Sequence, residues 1–251
     1  MSIDSRATSS AASLRDLLLQ KYVSSSAGPH RPLTETDLNG FLVAYRYYLR
    51  RWVPTPAEGG WLDLGCGQGA LMRLALAYGY REVLGVDLSD EMLAAARADS
   101  LTVVKDDLLR FLERTPERHW SVVSAFDVVE HFSKEDGFRI LCQIRRVLRS
   151  GGICLLKLPS ASSPWGTHVH ASDLTHEMFY TRYSIAQLAN LAGFAEVGLR
   201  EVGPAPTGFL SAARWLLWQA VRAAYATVNV IETGAGTGGI YTRVVLVRLV
   251  A

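Results

Sequence analysis

Cysteine is scarce in this sequence, and the few cysteines present form no recognisable pattern. The 251 residues include only Cys66, Cys142 and Cys154, which are widely spaced and make no C-x-x-C pair. An odd number of scattered cysteines argues against a disulfide framework and against a zinc knuckle. We therefore expect a protein of a reducing, cytoplasmic environment.

Long hydrophobic runs and an excess of one charge are also missing. Residues 1–11 are small and polar, without the apolar centre of a signal peptide, and we expect them to be disordered. The most apolar long stretch, 209–230, contains two arginines, a glutamine and an asparagine, which fits an amphipathic helix better than a membrane span. The net charge of +2 gives no drive toward nucleic acid. We expect neither a nucleic-acid partner nor a transmembrane segment. The sequence leaves open whether the protein forms a homodimer.

Apolar strand-like runs and helix-like segments alternate from residue 61 onward. The strand-like runs are 61–65, 82–88, 101–105, 120–129, 152–158, 194–202 and 240–249. The helix-like segments are 69–79, 90–99, 107–114, 135–149, 184–192 and 208–227. Strand and helix in turn are typical of βαβ units around a parallel sheet, and continuous apolar strands indicate that helices cover both faces. The predicted fold class is α/β, with a doubly wound, Rossmann-like sheet.

The chain reads as one main domain with additions. Residues 1–55 are expected to form the disordered tail and a helical cap, which includes a short helix at 13–23. Residues 56–251 are expected to form the Rossmann-like domain. It carries an acceptor loop at 160–183 and a helix at 208–227 that is inserted before the last strand.

The strongest motif is a glycine-rich turn after the first strand. Residues 61–69 read WLDLGCGQG, so Gly65, Gly67 and Gly69 are spaced G-x-G-x-G, and Asp63 lies inside the strand. Glycines allow the backbone to approach a ligand closely, and the N-terminus of the next helix offers it free amides. The carboxylate of Asp63 needs a partner, which is either a cofactor ammonium group or the amides of the loop.

Two further carboxylates close the next two strands. Asp87 ends the second strand, where a carboxylate can accept two hydrogen bonds from a ribose diol. The other interpretation of Asp87 is helix capping, but Ser89 is better placed for that. Asp107 follows the third strand and is the preferred acceptor for an adenine amine, with Asp106 as the alternative.

These motifs in this order resemble class I S-adenosylmethionine-dependent methyltransferases, over about residues 40–200. The resemblance implies S-adenosylmethionine as the cofactor and a seven-stranded sheet with an antiparallel edge. It also implies that Asp63 and the glycine turn face the methionine part, and that Asp87 holds the ribose. The remaining cofactor contacts are expected from Leu88, Asp107, Leu108 and Phe126.

The fourth strand runs into the sequence FDVVEHF, residues 126–132, at the edge of the sheet that borders the ligand crevice. Glu130 and His131 are the candidate catalytic residues, because an imidazole can take a proton from an acceptor hydroxyl during methyl transfer. Positioning and desolvation contribute to the rate in either case. The alternative is that both side chains only hold the loop by hydrogen bonds.

The same segment resembles the E-x-x-E-H motif of ubiquinone-pathway and small-RNA 2′-O-methyltransferases, which binds a divalent cation. The ligands implied by this resemblance are Asp127, Glu130 and His131, with one more from His168, His170 or His176. Asp127 replaces a glutamate, which shortens the reach of that ligand, and the same letters occur in many family members without metal. We expect no metal and keep this set as the alternative.

The most individual segment, 164–183, carries three histidines and two carboxylates, and is costly to order unless it binds something. Its D-x-T-H-E-x-x-x-T-x-x-S pattern resembles methyltransferases of bacterial polysaccharide and glycoside biosynthesis. The resemblance implies O-methylation of a sugar-like hydroxyl. The residues that would contact the acceptor are His170, Asp173 and His176. The alternative is that Thr181 and Ser184 cap a helix while the histidine and glutamate brace the loop.

We also expect segments 164–183 and 208–227 to form a lid over the acceptor. The aromatic face of the inserted helix consists of Trp215, Trp218 and Tyr225. Such a face stacks on sugar rings, or it only packs against the protein. Arg214 and Arg222 share a face that can meet a phosphate, or they stay solvated.

Several other functions compete with this interpretation. A metal-dependent methyltransferase of a quinone-like or other natural-product hydroxyl is the first alternative. An NAD(P)-dependent reductase would usually have G-x-G-x-x-G after the first strand, where this chain has G-x-G-x-G, and a short-chain type would have a Tyr-x-x-x-Lys pair, which this chain lacks. The intact Asp63, Asp87 and Asp107 argue against a non-catalytic cofactor-binding protein. The Asn/Asp-Pro-Pro-Tyr type of motif of amine-directed nucleic-acid methyltransferases is absent after the fourth strand.

Overall fold

The computed structural model describes residues 33–55, 59–235 and 239–251, together with Leu18. The tail predicted at 1–11 lies outside the described residues, and so does the helix predicted at 13–23 apart from Leu18. No helix in the described ranges has the length and apolarity that crossing a membrane requires.

Seven strands and eight α-helices alternate along the described residues. The strands are β1 (Gly60–Leu64), β2 (Val83–Asp87), β3 (Val103–Lys105), β4 (Trp120–Phe126), β5 (Leu148–Pro159), β6 (Glu196–Glu201) and β7 (Val244–Val250). The helices are α1 (Glu35–Leu49), α2 (Ala70–Ala77), α3 (Asp90–Ala98), α4 (Leu108–Arg114), α5 (Lys134–Val147), α6 (Gly166–Ala171), α7 (Arg182–Leu191) and α8 (Phe209–Thr233). A 3₁₀ turn, Val129–His131, follows β4.

The strands form one sheet in the order β3-β2-β1-β4-β5-β7-β6. The first five strands pair in parallel, and β7 runs antiparallel to both β5 and β6. This is the predicted doubly wound α/β fold with an antiparallel edge. The strand order reverses between β1 and β4, and a crevice at the carboxyl ends of such strands is where open α/β sheets bind ligands.

Helices on both faces bury the sheet because each presents one apolar side. In α5 the inward residues Ile140, Ile144 and Val147 recur at helical spacing and are fully buried. On the opposite face α1 packs its Tyr45 and Leu49 beside α2 in a second apolar cluster. The cap helix thus contributes to a core that the Rossmann-like strands share.

Several predicted boundaries were wrong for identifiable reasons. The fourth strand ends at Phe126 and not at 129, because Asp127 takes a left-handed φ of 54° that turns the chain. The last strand begins at Val244 and not at 240. The inserted helix continues beyond 227 to Thr233, where Gly234 ends it with a φ of 70°. The segment 164–183 is not entirely a loop, since it contains α6.

Candidate active site

A cavity of about 340 Å³ opens at the carboxyl ends of β1, β2 and β4. It therefore lies at the reversal of strand order. Its lining residues are Gly65, Gly67, Asp87, Leu88, Ser89, Met92, Asp107, Leu108, Phe126, Asp127, Val128, His131 and Phe132. Of the predicted cofactor residues, Asp63 and Gly69 are not in this wall.

The turn after β1 is built from glycines in left-handed conformations. Gly65, Gly67 and Gly69 have φ angles of 66°, 52° and 80°. A Cβ atom on Gly65 would lie 2.5 Å from Cγ2 of Val128, so this position has no room for a side chain. Beside Gly67 the nearest atom to a Cβ would be Sδ of Met92 at 4.0 Å, which leaves open cavity space against the backbone. Gly69 is packed against other residues and begins α2 without a side-chain cap.

Asp63 lies beneath this turn and is only 2% exposed. Its Oδ1 accepts a hydrogen bond of 2.6 Å from the hydroxyl of Ser124, which in turn accepts one of 2.7 Å from the indole of Trp61. Burial raises the pKa of Asp63 to about 7, against the opposing hydrogen bond from Ser124. The structure supplies a hydroxyl partner that the sequence did not indicate, and the role of Asp63 toward the cofactor stays a prediction.

Asp87 connects the glycine turn to the end of β2. Its Oδ2 accepts a hydrogen bond from the amide of Gly67 at 2.9 Å, and its Oδ1 accepts one from the amide of Ser89 at 2.8 Å. Burial raises the pKa of Asp87, and these amides oppose that shift. The cap of α3 is Ser89, whose hydroxyl accepts from the amide of Met92. Asp87 is therefore not the helix cap, and its carboxylate borders the cavity.

The two neighbouring carboxylates after β3 have different surroundings. Asp107 lines the cavity while its Oδ1 caps α4 by accepting from the amide of Arg110 at 3.0 Å. Asp106 makes an ion pair with Arg114 and lines a different depression on the surface. Leu88 is exposed above the cavity, so an apolar side chain is available to a planar ligand.

A charged network that sequence reasoning missed borders the cavity beside Phe126. Asp127 forms an ion pair with Lys157 of β5, and Tyr45 of α1 hydrogen-bonds to the same lysine. Burial alone would lower the pKa of Lys157, but Asp127, Tyr45 and Glu130 together outweigh burial and the pKa is raised. A signal was present, since Lys157 interrupts the apolar run CLLKLP of its strand.

Glu130 is fully buried, and neither of its carboxylate oxygens has a hydrogen-bond partner among the described residues. Its backbone carbonyl accepts from the amides of Glu177 and Met178, at 2.8 Å and 3.0 Å, and so anchors the segment before α7. Burial and the nearby charge of Asp127 raise the pKa of Glu130 well above its ordinary value. A buried carboxyl in this condition holds a proton or binds a cation.

His131 is oriented by a relay from the segment between α6 and α7. The hydroxyl of Thr175 donates to Oδ1 of Asp173 at 2.6 Å, and the oxygen of this hydroxyl lies 2.7 Å from Nδ1 of His131. Because the hydroxyl donates its one proton to Asp173, we assign Nδ1 of His131 as the donor to Thr175, which leaves the lone pair of the neutral ring on Nε2. Burial and the nearby His176 lower the pKa of His131, which favours this neutral form. The arrangement is suited to a general base.

His176 approaches the same point from the other side. Its Nδ1 donates to the backbone carbonyl of His170 at 3.0 Å, and its ring centroid lies 4.7 Å from that of His131. One ligand atom each from Glu130, His131 and His176 fall within 4.8 Å of one another. Three of the ligands named for the alternative metal set therefore come together, with His176 as the histidine from the later segment, whereas Asp127 is not part of this group and pairs with Lys157.

The other residues predicted to contact the acceptor differ in what they touch. His170 stacks on Phe179 and on His176, with ring centroids 4.6 Å and 5.5 Å apart. Burial and His176 lower the pKa of His170. Asp173 orients His131 through Thr175. Thr181 and Ser184 form a capping box at the start of α7, as the alternative interpretation supposed.

The sheet order, the glycine turn after β1 and the carboxylate that closes β2 together define a class I S-adenosylmethionine-dependent methyltransferase. The chain belongs to the methyltransferase-domain family, whose model matches residues 41–198. S-Adenosylmethionine is the cofactor. The open space beside Gly67, the carboxylate of Asp87 and the apolar side chains around them fit this molecule.

Solved structures with the same fold are numerous, while a search of curated proteins finds no match. An S-adenosylmethionine-dependent methyltransferase from Archaeoglobus fulgidus has a TM-score of 0.62 and 19% identity, covering 94% of this chain and 99% of its own. A methyltransferase from Mesorhizobium loti has a TM-score of 0.61 and 20% identity, covering 85% and 100%. Phosphoethanolamine N-methyltransferase 2 from Haemonchus contortus, in complex with S-adenosylmethionine, has a TM-score of 0.59 and 18% identity, covering 96% and 60%. These likenesses support the fold.

Proposed function

We propose that the protein transfers the methyl group of S-adenosylmethionine to a hydroxyl of a small, sugar-like acceptor, with His131 as the general base. The observation that carries the proposal is the Asp173–Thr175–His131 relay, which leaves the Nε2 lone pair of a neutral imidazole as a proton acceptor. The bound cofactor supplies an electrophilic methyl group on a sulfonium. His131 would take the hydroxyl proton as the acceptor oxygen bonds to the methyl carbon and the methyl–sulfur bond breaks, leaving S-adenosylhomocysteine.

The predicted cofactor contacts divide the cavity wall among them. We assign the methionine part to the glycine turn with Asp63 below it, and the ribose to Asp87. Asp107 and Leu108 would contact the edge of the adenine, and its faces would pack against apolar side chains such as Leu88. All of these residues except Asp63 and Gly69 line one cavity, which supports the assignment. His170, Asp173 and His176 would shape the acceptor side, next to the base.

A screen of hydroxylated acceptors with isotopically labelled cofactor tests this function. It should include sugar nucleotides and glycans, and also phosphoethanolamine, since one structural neighbour is a phosphoethanolamine N-methyltransferase. With the acceptor found, we expect His131→Ala to reduce turnover by roughly 10²–10⁴-fold, the usual contribution of general base catalysis. The affinity for S-adenosylhomocysteine should stay within about twofold. If the turnover of His131→Ala stays within a factor of a few of the unchanged protein, His131 is not a general base, and positioning of the acceptor accounts for catalysis.

A metal-dependent methyltransferase of a quinone-like or other natural-product hydroxyl is a second candidate. The observation that favours it is the convergence of Glu130, His131 and His176 within 4.8 Å, with the Glu130 carboxylate lacking a hydrogen-bond partner among the described residues. If this candidate is right, a chelator abolishes activity and added Mg²⁺ or Zn²⁺ restores it. Glu130→Gln would then reduce metal-dependent activity. Full activity after chelation would reject it.

A further inference from the structure

The cavity of about 340 Å³ described above is called the cofactor cavity from here on. A second and larger cavity, of about 780 Å³, lies beyond it. We refer to it as the α8 cavity, because one wall is the inward side of α8. The other walls come from α1, α6, the start of β7 and the segment after β6. Its lining residues are Ala44, Tyr48, Trp165, Val169, Val202, Gly203, Pro204, Ala205, Thr207, Ser211, Arg214, Trp218, Thr242, Arg243 and Val244. A cavity of this size holds a small molecule.

The two cavities are neighbours at the same edge of the sheet. Val244 pairs with Pro159 at the carboxyl end of β5, and Phe126, in the cofactor cavity, pairs with Lys157 on the same strand. Two strand spacings, about 10 Å, therefore separate β4 from β7. α1 also connects them, since Tyr48 lines the α8 cavity while the ring of Tyr45 lies 5.5 Å from that of Phe126.

α6 makes the same connection on the other side. Val169 lines the α8 cavity, and the next residue, His170, stacks on His176. His176 in turn lies against His131 in the cofactor cavity. The α8 cavity therefore lies beside the histidines that border the cofactor cavity.

The charge of the α8 cavity is of one sign. No aspartate or glutamate occurs among the described residues that line it, and Arg214 and Arg243 supply its charge. Within the described ranges neither guanidinium makes an ion pair or a side-chain hydrogen bond. Arg222, two turns further along α8, is different because it pairs with Glu201 at 2.6 Å and hydrogen-bonds to Gln219. The two unpaired guanidinium groups can each bind an oxyanion with two hydrogen bonds.

Aromatic rings face the same space. Trp165 and Trp218 both line it, with ring centroids 6.0 Å apart and planes at 46°. Tyr225 packs edge-on against Trp165, with ring centroids 5.4 Å apart. Of the predicted aromatic side of the inserted helix, Trp218 lines the cavity, Tyr225 packs against Trp165, and Trp215 is not among the lining residues. Flat rings beside an anion site favour a ligand with a phosphate on an apolar or ring-shaped body.

We propose that the α8 cavity binds a phosphate ester at the far end of the acceptor, with Arg214 and Arg243 on the phosphate and Trp165 and Trp218 on the adjoining ring or chain. This inference rests on the proposed function, because it extends the acceptor of that site. The phosphate can belong to a sugar phosphate or to a prenyl phosphate that carries the sugar. The exposed Phe209 and Leu210, at the start of α8, are near enough in sequence to contact a prenyl chain.

Binding of defined probes tests the proposal in the full-length protein saturated with S-adenosylhomocysteine. The probes are α-D-glucose 1-phosphate, farnesyl phosphate and methyl α-D-glucoside, which lacks phosphate, measured by calorimetry and by tryptophan fluorescence. We expect at least one phosphate to bind tenfold or more tightly than the glucoside, and the tighter phosphate identifies the source. Arg214→Gln and Arg243→Gln should each weaken it by roughly tenfold or more. Arg222→Gln, the matched control on the same helix, should stay within twofold.

The outcomes separate this inference from the proposed function. Phosphates that bind no better than the glucoside, or that bind equally well to both arginine variants, would overturn the α8 cavity as an anion site while S-adenosylhomocysteine binding remains. Arginine-dependent phosphate binding supports the inference even if no hydroxyl of any acceptor is methylated, in which case only the proposed function fails. Thermal unfolding confirms that each variant is folded.

Discussion

The carboxylates near the cofactor cavity differ in their hydrogen-bond and ion-pair partners, and we expect different roles for them for this reason. Asp87 accepts two backbone amides and still borders the cofactor cavity. Asp106 is engaged by Arg114 and lies outside that cavity, although Asp107 beside it lines the wall. Removing one or another of these carboxylates should therefore change the affinity for the cofactor by different amounts, although all carry the same charge.

We predict that Asp87→Ala weakens S-adenosylmethionine binding by a factor of roughly 10² or more. Hydrogen bonds to a charged group contribute about 1.5–3 kcal/mol each, and a ribose diol would make two with this carboxylate. Isothermal titration calorimetry measures the effect. Asp106→Ala is the control and should leave the affinity within about twofold. Unchanged affinity of Asp87→Ala would refute its assignment to the ribose.

The relay to His131 predicts a dependence of the rate on pH. A general base acts in its neutral form, so the rate rises as pH increases through the pKa of His131 and then levels off. Burial lowers this pKa from the ordinary histidine value of 6.5, and the negative charge of Asp173 partly opposes that shift.

We therefore expect Asp173→Asn to shift the acidic limb of the kcat profile to lower pH, because the variant loses the charge that raises the pKa of His131 but keeps an oxygen for Thr175. The measurement is kcat from about pH 5 to 9 at saturating acceptor. Asp136→Asn, which changes a carboxylate at the start of α5, should leave the limb in place. A limb that does not move in Asp173→Asn would show that His131 does not titrate in it.

The turn between β1 and α2 shows how an element depends on a glycine for two separate reasons. Gly65 has a φ of 66° and faces Val128 so closely that a Cβ would lie 2.5 Å from its Cγ2. Gly193, after α7, has a φ of 87° with no atom within 4 Å of a Cβ. The first position combines backbone strain with a clash, and the second has strain alone.

We predict that Gly193→Ala lowers the free energy of unfolding by about 1 kcal/mol, from the left-handed conformation. Gly65→Ala should lower it by roughly 2–5 kcal/mol, because overpacking against Val128 adds to that strain. Urea unfolding of both variants measures the difference. Equal losses in the two variants would mean that Val128 moves aside at no cost.

The molecule as a whole combines a deeply buried sheet with one helix that lies outside it. None of the residues of α8 is buried, and its outward side exposes Phe209 (90%) and Ile231 (80%). In contrast, α5 buries a full apolar side against the sheet. Helices with little buried area open more readily, since opening exposes little apolar surface.

We predict that amides of α8 exchange with solvent deuterium faster than those of α5 when no acceptor is present. Binding of an acceptor that the enzyme methylates should slow exchange in α6 and α8, which form walls of the α8 cavity. Hydrogen-exchange mass spectrometry with and without acceptor measures both effects. Unchanged exchange in both helices with the acceptor demonstrably bound would refute the predicted lid.

The sequence by itself determined the layout of the chain. Alternating apolar runs specify strands and helices locally, and parallel pairing then brings the carboxyl ends of the strands to one edge. For this reason the turn at Gly65, the carboxylate of Asp87 and the residue His131 could be placed beside one cavity from sequence alone. Strand ends were less predictable, because the turn at Asp127 depends on a single dihedral angle.

Only the tertiary structure decided which side chains meet. Ser124 reaches Asp63 across 61 residues of sequence, and Thr175 reaches His131 across 44. Such contacts depend on sheet register and helix packing, which no local pattern encodes. The same holds for the arginines of α8, where Arg222 is paired and Arg214 is left facing a cavity. The two arginines carry the same charge and were expected on the same face of the helix. They differ because Glu201 of β6 pairs with Arg222 and not with Arg214.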